Sequence, residues 1–439
     1  MTSVGQYGPN RRMFAETFAA PVRPAYESET RVDIALLASV LFLQRFSLSF
    51  GHSVLSLDIV PVVLILVHQF ASGRLLIQYH RLLWFLVLGL AATSSLLLNF
   101  NTRMLSSYSL FLVMYSLFTL SRPSTPDRYK STLQGFQFLV LILSCLGIVQ
   151  FAAQFVVDGR QLIQFFGIFP EFLFAEAHKG LANTIIPITS GSSLIKSNGI
   201  FLGEPSTMSQ MAALGILIEV LEFRRPRYLL PLALGLLLSY SGTGITILLL
   251  SLPLAGLVNR RAQLPAVVVS LFTFGLLTTG IIDLSAYLSR VGEFEDTHTS
   301  GFMRFISPFW MAAEHFDTAS LPALLGGNGP GTGDGFASGA FYNRSGSTWF
   351  KLLFEYGLIG AFIFMCFLGS CFRRSRCPKP LIAALIYCFV FTGGLLLSPE
   401  LLIIMVVLCT LSGPEAGESR SDRATRYRPF AAFRHQTGW

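Results

Sequence analysis

Apolar runs about as long as a membrane crossing, separated by short polar connectors, repeat along most of the chain. A span takes about 20 predominantly apolar residues. Twelve stretches read this way: 33–50, 54–70, 82–98, 105–120, 133–157, 206–223, 228–240, 244–258, 265–284, 350–372, 381–397 and 401–411. The seventh, eighth and twelfth are short, so their limits are the least defined. Backbone groups left unpaired in lipid are costly, so these spans are predicted as helices. The expected fold is an all-α polytopic membrane protein with about 12 transmembrane helices.

Two long polar stretches interrupt the pattern, residues 158–205 and 285–350. Polar tails flank it, residues 1–32 and 412–439, leaving one membrane domain over 33–411. The first apolar run follows the polar tail directly and reads as a retained span, with no cleavable leader. The halves show no repeat of one another, which argues against a transporter built from paired repeats.

Lys and Arg positions orient the spans, because short cytoplasmic connectors carry an excess of both. With the N-terminus inside, the inner segments hold Arg74 and Arg81, then Arg122, Arg128 and Lys130. Arg224, Arg225 and Arg227 follow, then Arg260 and Arg261, then Arg373, Arg374, Arg376 and Lys379. The tail adds Arg420, Arg423, Arg426, Arg428 and Arg434. Far fewer fall outside. Both long polar stretches are therefore expected on the outer side of the membrane, and both termini in the cytoplasm.

Composition agrees. Hydrophobic residues make up 52% of the chain and charged residues 13%, against about 25% charged in a soluble domain. The net charge of +8 is then mostly a topology signal. The basic tail suits anionic lipid head groups; no aromatic-basic platform accompanies it, so nucleic acid is not an expected partner. The six cysteines fall in spans or near their inner ends, with no external disulfide framework and no metal-ligand spacing. No metal or cofactor is expected. Arg45 and Asp58 are the charges within spans, either functional or paired near the outer face.

Most of the polar chemistry lies in the two outer stretches. The first begins Asp158-Gly-Arg160, has an apolar section over 162–174 suited to an interfacial helix, and closes with Glu204-Pro205-Ser206-Thr207. Pro205 after Glu204 marks a helix start. Ser239-Tyr-Ser-Gly-Thr-Gly244 is a turn between spans that puts Ser241 and Thr243 at the outer surface. The second stretch carries Arg290, Glu293, Asp296, His298, Arg304 and His315, then a glycine-rich run over 326–335 containing Gly329 and Gly331. No Gly-Lys-Ser/Thr closes that run, so it is not a phosphate-binding P-loop. It reads either as a connector or as backbone able to approach an anion or sugar closely.

The outward arginines are the sharpest chemical signal, since a guanidinium presents a planar fork of donors to phosphate oxygens. Arg290 and Arg304 stand fourteen residues apart, close to four helical turns, so one helix is expected to present both on one side. Candidate bases are Glu204, Glu293, Asp296, His298 and His315. Glu204 is the best placed, at a helix start by the membrane boundary, where a helix-terminal charge interaction is the alternative role.

Four segments together resemble the bacterial O-antigen polymerase and ligase superfamily. Asn198-Gly-Ile-Phe-Leu-Gly-Glu-Pro-Ser206 is similar to its Glu-Pro-Ser segment, and Ser239–Gly244 to its Ser-rich Thr-Gly turn. Leu325-Gly-Gly-Asn-Gly-Pro-Gly331 is similar to its Gly-x-Gly loop, and Thr348–Gly360 to the start of its late span. The order matches, across residues 33–411. The resemblance implies a GT-C-like, metal-independent membrane glycosyltransferase acting on undecaprenyl-pyrophosphate-linked oligosaccharide. Arg290 would then bind pyrophosphate, with Arg304 second; Arg160, Ser241, Thr243, Gly329 and Gly331 are further substrate-binding candidates. Glu204, His298 and His315 join Arg290 as catalytic candidates. A flippase and a chain-length regulator are implied partners. Ligases of this superfamily carry a His-Asn pair where this chain has Gly346-Ser347, which favours a polymerase over a ligase. A transporter or flippase is the alternative of another class; it predicts polar residues deep in several spans, and here they concentrate in the outer loops.

Overall fold

The computed structural model describes residues 23–50, 53–159, 185–189, 191–258, 297, 299–337 and 346–413. Helix α1 spans Arg23–Phe42, so it begins inside the polar tail and ends well before residue 50, where the first span was expected to close. After it, Ser-Leu-Ser-Phe alternates with the period of a strand. It forms β1 (Ser47–Phe50), paired antiparallel with β2 (Ser53–Ser56). The apolar count over 33–50 was right, but its last residues follow a period of two instead of 3.6.

The chain continues through α2 (Ile59–Ala71), β3 (Leu76–Ile77), α3 (Tyr79–Leu98) and α4 (Met104–Ser116). Next come β4 (Leu120–Pro123) and α5 (Pro126–Ala153), then α6 (Pro205–Ile218), α7 (Pro226–Leu238) and α8 (Gly242–Val258). The described part of the second polar stretch contains four short helices, α9 (Ser300–Phe305), α10 (Ser307–Thr318), α11 (Leu321–Gly326) and α12 (Gly333–Ala337). The last elements are α13 (Thr348–Phe372), α14 (Lys379–Phe391), α15 (Pro399–Met405) and β5 (Ser412–Gly413). Helix starts follow local chemistry. Proline occupies the first turn of α5, α6, α7 and α15, where a missing N–H costs nothing. Thr125 caps α5, its Oγ1 accepting from Arg128 N at 3.3 Å.

Among the described residues, four helices are long and apolar enough to cross a membrane: Tyr79–Leu98, Pro126–Ala153, Pro205–Phe223 and Thr348–Phe372. Six shorter apolar helices accompany them. The expected span 265–284 lies outside the described residues, as does the interfacial helix expected over 162–174. Helix α6 is the hub. It is buried at nearly every position and packs against α5, α7, α8 and α14. Gly244 lets α8 approach it closely, since a Cβ there would sit 2.3 Å from Ser209 O. Large exposed apolar side chains such as Leu86 and Leu90 on α3, Phe138 and Val149 on α5, and Phe362 and Met365 on α13 form the kind of surface that lipid covers.

The connectors gather at two ends. At one, β3, β4 and β5 form a small sheet, with Leu76 opposite Ser121 and Arg122 opposite Ser412. Arg81 is 2% exposed, and its Nη1 donates to Phe118 O and Leu120 O (3.3 Å each) and to Thr410 O (2.9 Å). Arg122 is ion-paired with buried Asp33, whose other oxygen accepts from Thr132 Oγ1 at 2.9 Å. Arg225 Nε meets Glu219 Oε1 at 2.9 Å and its guanidinium lies over the rings of Phe223 and Tyr228. Several arginines that the charge pattern treats as topology markers are thus internal fasteners, and the burial of Arg81 and Arg122 is offset by these acceptors.

Candidate functional site

At the opposite end, the end of α1 meets the starts of α6, α8 and α15. A buried polar net shapes the loop before α6. Gln150 Oε1 accepts from Asn198 N and Ser197 Oγ (3.1 Å each), and Gln150 Nε2 donates to Asn198 Oδ1 at 3.0 Å. Gly199 and Ile200 both take positive φ (68° and 70°). Ile200 does so at a steric cost for a β-branched residue, held by Asn198 Oδ1 on its N–H (3.1 Å) and by Arg45 Nη1 on its carbonyl (2.6 Å). The chain leaves this turn extended at Glu204 and enters α6 at Pro205.

Arg304 arrives from the other polar stretch. Its Nη2 lies 2.9 Å from Glu204 Oε2 and 3.3 Å from Ser206 Oγ, and Ser206 Oγ donates to the same carboxylate oxygen at 2.7 Å. The Ser-Gly-Thr turn completes the cluster. Thr243 Oγ1 donates to Ser206 O at 3.4 Å, and Ser241 Oγ lies 2.9 Å from Thr243 Oγ1. Ser209 clamps the turn, donating to Ser241 O (3.1 Å) and accepting from Gly244 N (2.9 Å). Glu204, Ser241, Thr243 and Arg304, predicted separately, are brought together. A guanidinium has five N–H donors. Here Nη2 is engaged, while Nη1 and Nε have no acceptor among the described residues. The cluster therefore offers a cation with donors to spare.

The helix carrying Arg304 differs from the expected one. It starts at Ser300, after Thr299 with extended backbone (φ −91°, ψ 158°) whose Oγ1 accepts from Phe302 N. A threonine N-cap ends the helix there, so one continuous helix does not present both Arg290 and Arg304. Arg290, His298 and Arg160 lie outside the described residues.

His315 stands apart from the cluster. It is buried on α10, its ring 4.8 Å from that of Phe354 on α13. Burial lowers its pKa below the ordinary histidine value. Gly329 and Gly331 also stand apart, in a loop whose backbone is engaged by the protein itself. Helix α13 breaks at Gly357 (φ 70°, ψ −177°), which frees carbonyls one turn earlier. Asn328 N donates to Phe354 O (2.9 Å), Gly329 N to Glu355 O (3.0 Å), and Gly333 N to the Glu355 carboxylate (3.2 Å). Ser95 Oγ adds a bond to Glu355 O at 2.6 Å. Added Cβ atoms would fall 2.7 Å from Met104 Sδ at Gly329 and 2.4 Å from Ser107 Oγ at Gly331. The close backbone approach expected of this loop is made to α4 and α13.

Beside Glu204 lies a cavity of about 190 Å³. Its polar lining includes Gln44, Glu204, Thr207, Gln210, Ser398 and Glu400. Gln44 Oε1 accepts from Gly203 N at 3.0 Å, fixing the wall before Glu204. Sequence reasoning missed Gln44, Gln210, Ser398 and Glu400. One signal was present: Ser398-Pro399-Glu400 reverses Glu204-Pro205-Ser206, and each triplet opens a helix.

A family model described as WcaD colanic acid polymerase matches residues 32–412. No curated protein and no solved structure matches the chain.

Proposed function

Since the chain belongs to the WcaD colanic acid polymerase family, we propose that it joins undecaprenyl-pyrophosphate-linked oligosaccharide repeat units at the periplasmic face of the inner membrane. The family and the apolar helices make it an integral membrane polysaccharide polymerase. The finer reading is a GT-C-like enzyme of about twelve spans, with both termini cytoplasmic and no need of a metal. An acceptor hydroxyl attacks the anomeric carbon of the carried glycan, and lipid pyrophosphate leaves.

The observation that carries this reading is Arg304 held beside Glu204 and Ser206, with no acceptor for Nη1 or Nε among the described residues. Pyrophosphate gains charge as its bond to carbon breaks, and a fixed guanidinium stabilises that charge more in the transition state than before it. The ion pair to Glu204 holds the fork in place without using its outward edge. Arg290 is the other arginine in this role, by resemblance. Gathering the loop start, the Ser-Gly-Thr turn and Arg304 at one end of the bundle supports an outer-face site, because the charge pattern assigns all three to the same side.

The test is the glycan profile of cells lacking this chain. Lipid-carried single repeat units without long polymer are expected. Long polymer retained on the lipid carrier would mean a ligase, and an unchanged profile would remove the glycosyl-transfer reading.

A further inference from the structure

The cavity beside Glu204 is lined by acceptors, and Arg304 stands at the Glu204 edge of it. Glu204 already accepts from Arg304 Nη2 and Ser206 Oγ. Glu400, half-buried at the start of α15, lines the same cavity. It accepts from Ser398 Oγ and has no cationic partner among the described residues. Gln210, 6% exposed, supplies a third acceptor. Its Nε2 donates to Thr392 Oγ1 at 3.2 Å, and the Thr392 proton is committed to Cys388 O at 2.6 Å. That arrangement fixes the amide: nitrogen to Thr392, carbonyl oxygen to the cavity. Among the described residues that oxygen has no donor, and the residue lines the cavity.

An acceptor facing a cavity is open to a ligand's donor, and the Glu400 carboxylate beside it repels phosphate. The ligand that satisfies all three is neutral and rich in hydroxyl donors. At about 190 Å³ the space is below the roughly 300 Å³ of small drug-type pockets, which suits one sugar ring. Apolar walls from Leu41, Met211, Leu401 and Ile404 suit a ring's carbon face.

We propose that this cavity between α1, α6 and α15 binds the terminal sugar of the acceptor repeat unit, and that Glu400 takes the proton of its attacking hydroxyl. The inference rests on the polymerase reading above. The hydroxyl proton passes to the Glu400 carboxylate and the hydroxyl oxygen bonds the donor's anomeric carbon. The bond from that carbon to pyrophosphate oxygen breaks, its electron pair leaving with the phosphate. Glu204 fits this task less well, because Arg304 neutralises it. The two carboxylates divide the work: Glu204 sets the arginine and Glu400 accepts the proton.

The experiment uses the full chain in detergent and the lipid-linked repeat units extracted from cells that lack it. Wild type should build polymer from them. Glu400→Gln, nearly isosteric, should reach wild-type membrane levels and lose about 10²–10⁴-fold in rate, the usual share of general-base catalysis. Glu400→Asp should keep part of the activity with a shifted pH–rate profile, which a merely structural carboxylate would not move. Thr207→Phe, which fills the cavity and spares both carboxylates, should raise KM for the acceptor or abolish polymer. It also serves if Glu400→Gln does not accumulate. Near-wild-type rates in Glu400→Gln, or in Thr207→Phe, while cells lacking the chain make no polymer, would overturn this assignment and leave the polymerase reading standing. No polymer from wild type, with no lipid-linked units accumulating in its absence, would overturn both.

Discussion

Arg304 and Glu204, one hundred residues apart in the chain, form an ion pair at 2.9 Å that joins the second polar stretch to the start of the most buried helix. Their side chains are 22% and 37% exposed. A pair this open contributes at most about 1 kcal/mol to stability, and the role proposed for it is placement of charge.

Arg304→Ala should therefore abolish long polymer, a loss of about 10²-fold or more for a removed transition-state donor, with the unfolding temperature in detergent nearly unchanged. Arg304→Lys should recover little, because a point charge lacks the fork. Glycan ladders on cells, with membrane levels checked in parallel, decide the matter; a normal ladder in Arg304→Ala would end its pyrophosphate role. By resemblance, Arg290→Ala is expected to give the same loss.

Asp33→Ala should unfold much of the protein. It strands buried Arg122 and removes the acceptor of Thr132, and breaking a buried pair costs about 3–5 kcal/mol. Chain level in the membrane and melting in detergent report it. Thr132→Val, which leaves the ion pair in place, should cost far less. Equal melting for Asp33→Ala and wild type would show that the pair is dispensable.

At Gly357 the backbone takes φ 70°, and an added Cβ would sit 2.3 Å from Leu325 O. Gly357→Ala should cost at least about 2 kcal/mol from the left-handed conformation and displaced backbone together. The glycine-rich loop, which bonds the carbonyls freed by this break, should loosen with it. Faster amide exchange at Asn328 and Gly329 would register the loosening; unchanged protection there would contradict the docking described.

His315 is held neutral by burial, with its pKa lowered. The unfolded chain binds a proton there at higher pH than the folded one. Its contribution to stability is therefore present above the ordinary histidine value, about 6.5, and lost as pH falls below it. Melting temperature should drop on acidification from pH 7 to 5, and His315→Phe, which fits beside Phe354, should flatten part of that drop. An identical slope in both proteins would exclude His315 as its source.

Some of this was legible residue by residue. The apolar stretches over 82–98, 133–157, 206–223 and 350–372 each overlap one of the four helices that, among the described residues, are long and apolar enough to cross a membrane, because a long apolar segment has few alternatives. Pro205 after Glu204 announced the start of α6, and the glycines of Ser239–Gly244 announced a turn. These are local properties, set within a few residues by backbone sterics and by the cost of unpaired backbone in lipid. The close of α1 at Phe42 was not legible from apolar count, since residues 47–50 are apolar enough for a span but alternate as a strand.

What the sequence by itself determined is a membrane-embedded helical chain with its polar chemistry in two stretches, resembling a glycan polymerase. Only the tertiary structure decided which polar residues meet. Arg304 reaches Glu204, Gln210 and Glu400 face one cavity, and the loop of Gly329 is spent on the break in α13. It also separated buried fasteners such as Arg81 and Arg122 from the remaining basic connectors. The physical reason is that a guanidinium or carboxylate has the same local signature whether it is solvated, paired or poised for a substrate. The distinction lies in its partner, which stands 100 residues away for Arg304, 89 for Arg122 and 329 for the Thr410 acceptor of Arg81.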